Sequence, residues 1–592
     1  MKHLMTGNEA VARGVFEAGV TYASAYPGTP STEILENVGP YKEHITAEWA
    51  ANEKVALETA IGASIAGARS FAAMKHVGVN VAADPLFTYA YTGVNGGLVL
   101  VSADDPGAHS SQNEQDNRYY AKFAKIACIE PSDSQESKDF IIDAYEISEE
   151  FNLPILFRMT TRTCHSKSLV EFGERTEVGT KPYKKDTSKF VAAPSNARLM
   201  HPKVEARTEA LKKFSNETHL NRFEWNDKKI GIITSGVSYV YSKEVFGDTV
   251  SYLKLGFTYP LPMEKIRKFA DEVETLYVIE ELEPFIEEQM KAVGIDCIGK
   301  EVIPRIGELN PDIIAKAILG EERQTVSISE DKKVERPPAL CAGCPHRGLF
   351  FELAKRKDIM VTGDIGCYTL GVAEPLNTID TVICMGGSIS MGHGAYKAFE
   401  RNNVDKKVVS VIGDSTFFHT GINSLITVAY NKSNTVNIIL DNRTTGMTGH
   451  QENPGTGYSL QGDMTEAIDI PQLVKSIGIK EVITVNPLDL DAVDKALKVA
   501  FAYDGPSVII TRWPCALKRF TDLDKKEFDL AKKTYRVDPE ECRGCKVCIK
   551  TGCPALEFDP KSKKAIINED MCVGCSICAQ SCPFDAIAKV GE

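Results

Sequence analysis

Eight of the chain's sixteen cysteines lie in its last fifty or so residues, in two runs that each close on Cys-Pro. The first run is Cys542, Cys545, Cys548 and Cys553-Pro554, and the second is Cys572, Cys575, Cys578 and Cys582-Pro583. Thiolates at two-residue gaps wrap one turn of backbone around a cube-shaped iron–sulfur centre, and in paired runs the fourth cysteine crosses to the other centre. The spacing therefore predicts one [4Fe–4S] centre on Cys542, Cys545, Cys548 and Cys582, and a second on Cys572, Cys575, Cys578 and Cys553. A zinc reading fits poorly, because zinc sites pair two Cys-x-x-Cys units over a longer gap and use neither a third Cys nor the Pro. One irregularity stands out. Four residues, 549–552, separate Cys548 from Cys553 where the common pattern has three, so this loop is expected to bulge.

A second candidate site lies upstream. Val408-Val409-Ser410-Val411-Ile412 reads as a buried strand running into Gly413-Asp414-Ser415. Val436-Asn437-Ile438-Ile439-Leu440 does the same into Asp441-Asn442-Arg443-Thr444. Both polar groups fall at carboxyl ends of strands, where open α/β sheets bind ligands. Mg²⁺ takes six oxygens in octahedral geometry and favours phosphate among them. The side chains of Asp414 and Asn442 with the Thr444 carbonyl supply three ligands, and a diphosphate and a water complete the shell. Gly413 lets a phosphate approach the backbone closely. A lone Gly-Asp is an ordinary strand-end turn; the second polar group about 28 residues on gives it weight. The pair resembles the magnesium-diphosphate motif of thiamine-diphosphate enzymes, with Ser415 where many have Gly and Asp441 where many have Asn.

These groups need a scaffold of several domains. At 592 residues the chain exceeds one core, and 43% apolar with 25% charged residues is an ordinary globular composition. A net charge of −13 argues against nucleic acid or an anionic membrane as partner. No run approaches the roughly 18 apolar residues of a membrane span, and the N-terminus lacks a secretion-type apolar stretch. Cysteines in such a chain read as metal ligands in a reducing cytoplasm. Strand-like runs alternate with helical ones, which predicts an α/β protein of doubly wound parallel sheets. The expected units are 1–180, a polar connector over 181–229, a smaller α/β domain over 230–319, a charged linker over 320–338, a third α/β domain over 339–532, and an α+β two-cluster tail over 533–592. Cys128, Cys164, Cys297 and Cys384 show no ligand spacing and are expected in the core.

Along its whole length the chain resembles the alpha subunits of the 2-oxoacid:ferredoxin oxidoreductases, and among them the aryl-pyruvate branch of indolepyruvate type. The resemblance rests on Ala25-Tyr26-Pro27-Gly28-Thr29-Pro30-Ser31, Lys75-His76-Val77-Gly78-Val79-Asn80, Cys341-Ala342-Gly343-Cys344-Pro345-His346, Gly413-Asp414-Ser415 and the tail. It implies thiamine diphosphate and Mg²⁺ held between a pyrimidine-binding domain (1–180) and a diphosphate-binding domain (339–532), with a transketolase C-terminal-like domain (230–319) between. Within Glu48-Trp49-Ala50-Ala51-Asn52-Glu53 and the small-residue helix that follows, it selects Glu53, over Glu48 and Glu58, as the carboxyl against the aminopyrimidine. It gives Thr29 to the substrate's carboxylate or carbonyl; Lys75 and His76 could assist near the thiazolium, though such a strand-end pair is more often solvated.

The same resemblance implies a third [4Fe–4S] centre near the cofactor on Cys341, Cys344, Cys367 and Cys515, with a structural zinc plus two buried cysteines as the plainer reading. It also implies ferredoxin as electron acceptor, CoA as acyl acceptor, and a smaller beta subunit in an α₂β₂ assembly. Two rivals from other classes are weaker. A non-oxidative thiamine-dependent decarboxylase has no use for eight tail ligands, and a pure polyferredoxin has none for Asp414 and Asn442. Pyruvate or 2-oxoglutarate as substrate is the alternative within the class, and no Gly-x-Gly-x-x-Gly fingerprint points to a dinucleotide instead.

Overall fold

The computed structural model describes residues 2–322, 328–334, 337–530 and 534–591. The chain divides into two compact units, Met1–Ser327 and Ile328–Glu592. Parts of the expected linker (323–327, 335 and 336) and the expected boundary at 532–533 lie outside the described residues.

In the first unit a seven-stranded sheet runs in the order Phe257–Tyr259, Ala127–Ile129, Ile155–Thr160, Leu98–Asp104, Ser70–Lys75, Tyr22–Ala25, Thr46–Trp49. All neighbours are parallel except Phe257–Tyr259, which pairs antiparallel at the edge. Leu98–Asp104 is buried throughout, which is why its sequence is continuously apolar rather than alternating. Helices Gly7–Glu17 and Ser134–Phe151 pack together beside this sheet. A second sheet has the order Thr275–Ile279, Ile230–Ser235, Ser251–Leu255, Asn221–Glu224, the last strand antiparallel.

Two arrangements differ from the sequence reading. The stretch 181–229 is more than a connector: it carries the 24-residue helix Pro194–Glu217 and the edge strand Asn221–Glu224. Met200, Val204, Thr208, Leu211 and Ser215 form that helix's buried stripe, a helical period that the surrounding Lys and Glu residues hide. The segment after Leu255 also leaves the second sheet and contributes Phe257–Tyr259 to the edge of the first, so the two sheets share chain.

The second unit is built on five parallel strands in the order Ile359–Thr362, Lys407–Gly413, Val436–Asp441, Ser507–Arg512, Glu481–Val485. Alternate residues feed different cores: Val409, Val411, Ile438 and Leu440 join one apolar cluster, while Ile412, Ile439 and Ile510 join another. The tail adds two antiparallel pairs, Tyr535–Val537 with Ile587–Lys589 and Leu556–Asp559 with Lys564–Ile567. It is docked, not tethered. Ile577 is buried among Leu490 and Leu497, and Gln580 donates to the Leu488 carbonyl (2.7 Å) and accepts from the Leu490 N–H (2.9 Å). Cys128, Cys164 and Cys297 are buried, but Cys384 is exposed, because it sits on a surface turn ahead of Gly386-Gly387 rather than in a core element. Among the described residues no helix is long and apolar enough to cross a membrane.

Candidate functional site

In the first unit, helix Glu53–Ile65 opens directly on Glu53, with the Asn52 side chain accepting from the Val55 N–H (2.9 Å) as its cap. Glu53 is only 5% exposed. Glu48 and Glu58 are exposed and engaged elsewhere, Glu48 accepting from the Tyr22 hydroxyl and Glu58 pairing with Lys54. Gly78 faces Glu53 so closely that a methyl there would lie 2.8 Å from Glu53 Cγ and 2.9 Å from its Oε1. Glycine at 78 is what admits the carboxyl.

The turn at Thr29 is tied to the same neighbourhood. The aliphatic stem of Lys75 lies against Gly28, where an added Cβ would be 3.2 Å away, and Ser110 Oγ donates to the Thr29 carbonyl (3.4 Å). Lys75 is not a solvated strand-end cation. It is half-buried, its Nζ donates to the Ser110 carbonyl (2.8 Å), and burial lowers its pKa to about 8 against the opposing pull of Asp105 and Glu53. His76 is fully buried, its Nε2 meeting Asn113 Oδ1 at 3.1 Å.

In the second unit, Asp414 caps the end of Lys407–Gly413 and is 2% exposed. Burial, and then the charge of Asp441, raise its carboxyl to about 7. Asn453 Nδ2 donates to its Oδ2 (3.1 Å). The Asn442 side-chain amide donates from Nδ2 to the Thr444 carbonyl (2.7 Å) and to Asp414 Oδ1 (3.1 Å). Rotating that amide would offer its oxygen instead, giving with Asp414 Oδ1 and the Thr444 carbonyl an all-oxygen donor set of the kind Mg²⁺ takes. Adjacent oxygens of a Mg²⁺ octahedron sit about 2.9 Å apart, which these separations bracket. Asp441 is spoken for differently: its Oδ2 accepts from Arg512 Nε (2.7 Å), so it orients the loop rather than the site. Ser415 is buried and accepts from Thr445 Oγ1 (2.9 Å), and at Gly413 an added Cβ would meet Tyr368 Cε1 at 2.6 Å.

Some participants carried no spacing signal. Asn453 comes from a distant loop and Tyr368 from the 3₁₀ helix Cys367–Val372. Asp364 was within reach of the strand-end rule that found Asp414, since it follows Ile359–Thr362. Its carboxylate gathers the N–H groups of Ile365 (2.8 Å), Gly386 (2.7 Å) and Ser388 (2.9 Å) and fixes the glycine turn beside the site.

The cysteines fall into three groups. Cys542, Cys545, Cys548 and Cys582 line one cavity of the tail, and Cys553, Cys572, Cys575 and Cys578 line another. Cys341, Cys344, Cys367 and Cys515 lie within one another's electrostatic reach: burial first, and then the neighbouring thiols, push Cys344 to about 12 and Cys367 to about 11. One glycine spans this quartet and the Asn442 loop, for a methyl on Gly446 would sit 3.5 Å from Asn442 Nδ2 and 3.7 Å from Cys367 Sγ. Ala342 and Gly343 in turn line the cavity of the Cys572 group, and a Cβ on Gly343 would strike Val573 Cγ2 at 1.9 Å. Among the described residues no three His, Cys, Asp or Glu side chains converge on a point fit for a single metal ion. The two tail sets of thiols instead line cavities, as a cluster requires. The bulge between Cys548 and Cys553 is a 3₁₀ turn, Cys548–Thr551, closed by Gly552 in the left-handed region.

Comparison with known proteins places these parts. Residues 13–230 match the pyruvate flavodoxin/ferredoxin oxidoreductase thiamine diphosphate-binding family, 364–511 the C-terminal TPP-binding domain of thiamine pyrophosphate enzymes, and 565–588 the 4Fe-4S binding domain. Sheet, strand-end site and cysteine-bearing tail thus define a thiamine-diphosphate-dependent oxidoreductase with iron–sulfur centres. The chain is 41% identical to indolepyruvate oxidoreductase subunit IorA of Pyrococcus horikoshii, over 100% of this chain and 97% of that one. It is 41% identical to the subunit of the same name from Archaeoglobus fulgidus, over 94% and 92%. The chain belongs to the indolepyruvate oxidoreductase IorA family. A 2-oxoglutarate synthase subunit KorA from Methanothermobacter marburgensis is 23% identical over 54% of this chain.

Proposed function

We propose that this chain is the thiamine-binding, electron-carrying subunit of an enzyme that oxidatively decarboxylates aryl pyruvates of indolepyruvate type. A 2-oxo acid and CoA become an acyl-CoA, CO₂ and a proton, while two electrons leave one at a time to ferredoxin. The observation that carries this reading is 41% identity through the full chain with an indolepyruvate oxidoreductase subunit, against 23% over 54% of it with a 2-oxoglutarate synthase subunit.

Asp414, Asn442 and the Thr444 carbonyl would hold Mg²⁺, with Gly413 and Ser415 bordering the diphosphate. Thiamine diphosphate, when bound, supplies the carbanion and electron sink that decarboxylation needs. Glu53, shielded from water by Gly78 and its helix, holds a proton at its carboxyl for the aminopyrimidine. Thr29 and Lys75 receive the anionic end of the substrate; an ammonium with pKa about 8 is still cationic at neutral pH. Cys341, Cys344, Cys367 and Cys515 would hold one [4Fe–4S] cluster beside the cofactor. Cys572, Cys575, Cys578 and Cys553 would hold another, and Cys542, Cys545, Cys548 and Cys582 one more in the tail. A smaller beta subunit completes an α₂β₂ assembly and contributes to the CoA pocket.

The test is anaerobic reduction of a viologen dye by the chain co-expressed with its small partner. Fast, CoA-dependent reduction with indolepyruvate is expected. Preference for pyruvate or 2-oxoglutarate by fully loaded protein would reassign the substrate, and aldehyde release without dye reduction would sink the oxidative reading.

A further inference from the structure

Arg347 follows the 341–344 cysteine loop on helix His346–Leu353 and is 1% exposed. One terminal nitrogen donates to the Thr551 carbonyl (2.7 Å), and the other to the carbonyls of Leu340 (2.6 Å) and Cys341 (2.9 Å). Its Nε has no acceptor, and among the described residues no carboxylate pairs with the guanidinium. A buried guanidinium held only by carbonyls is costly unless something anionic balances it. The nearby candidates are thiolates: the Arg347 backbone N–H donates to the Cys344 carbonyl (3.2 Å), a guanidinium nitrogen reaches the Cys341 carbonyl, and the other lies at Gly552, next to Cys553. Thr551 and Gly552 immediately precede Cys553, whereas Cys548, of the outer group, stands at the opposite end of the turn Cys548–Thr551.

The Thr551 carbonyl belongs to the 3₁₀ turn made by the extra residue between Cys548 and Cys553. That turn brings the tail backbone to the guanidinium: an added Cβ on Gly552 would lie 3.5 Å from an Arg347 terminal nitrogen. The longer gap and the buried cation therefore form one device. The thiol sets on either side of it are net anionic once they hold clusters, and each gains a further negative charge on reduction.

We propose that Arg347 is a positioning residue that holds up the reduction potentials of the Cys341/Cys344/Cys367/Cys515 and Cys572/Cys575/Cys578/Cys553 centres, and locks them in register through Thr551. This rests on the cluster assignment proposed above, which fails separately if the native chain, reconstituted anaerobically, shows no such centres by iron analysis and EPR. The experiment is an EPR-monitored redox titration of the native chain and of Arg347→Gln. Expected is a fall of at least tenfold in the reduction equilibrium of those two centres, 59 mV for a one-electron couple, with the Cys542 centre moving less. Equal shifts at all three centres, or none, would overturn the proposal. If Arg347→Gln takes up no iron, Arg347→Lys decides the matter, because it keeps the charge but not the three-carbonyl fork. Inner potentials within tenfold of native would then support the electrostatic role, and a larger fall would refute it.

Discussion

Asp414 shows how a single carboxyl couples binding to pH. Burial and Asp441 raise it to about 7, so between its ordinary range and that value the folded apo chain holds a proton that the unfolded chain has lost. Stability of the apo form should therefore fall as pH rises through this window, and a cation at the site should restore it. Mg²⁺ with thiamine diphosphate is expected to raise the melting temperature more at pH 7.5 than at pH 5.5, as read by calorimetry. Asp414→Asn should remove that difference, and Asp414→Ala should abolish thiamine retention while leaving tail EPR signals. Gly78→Ala tests Glu53 without touching it. A methyl 2.9 Å from Oε1 should displace the carboxyl and cut kcat at least tenfold, with melting temperature little changed. Activity within twofold of native would move the proton-holding role off Glu53.

At the scale of elements, the two sheets of the first unit are held by a buried ion network as well as by shared chain. Arg118, 1% exposed, pairs with Asp116 (2.5 Å) beside the first sheet and Glu280 (2.7 Å) at the end of a second-sheet strand. Arg118→Met leaves buried Glu280 without its cation and Asp116 with only the more distant Arg158 (3.7 Å), and should cost about 3–5 kcal/mol by denaturant titration. A loss below about 1 kcal/mol would mean that packing alone joins the sheets. Strand ends and tail loops were legible in sequence, because ligand spacing and buried-strand runs are local signals. Helix Pro194–Glu217 was not, since its stripe of Met200, Val204 and Leu211 is diluted by charge, and neither was the edge strand Phe257–Tyr259, whose pairing is set by tertiary contact. The oxygens around Asn442 were named from two strand ends alone. Asn453 and Tyr368, brought in by a loop and a 3₁₀ helix, carry no period or spacing that could have named them.

For the molecule as a whole, the second unit places its cysteine sets in succession from the Asn442 loop: the Cys341 set, the Cys572 set and the Cys542 set. Cys367 lies beside that loop, Gly343 abuts the Cys572 cavity, and Cys341 of the first set and Cys545 of the Cys542 set are exposed. With clusters held as proposed, Cys515→Ser should lower iron content by one cluster's worth while leaving the tail signals intact; unchanged iron would remove the Cys341/Cys344/Cys367/Cys515 centre. The same layout has a bearing on handling in air. Cys545 and Cys341 are exposed, whereas Cys553, Cys572, Cys575 and Cys578 are only partly so, and brief aeration should therefore bleach the Cys542 and Cys341 centres before the Cys572 centre. A briefly aerated sample would then still bind its cofactor and release CO₂, yet have lost the exit through which electrons leave.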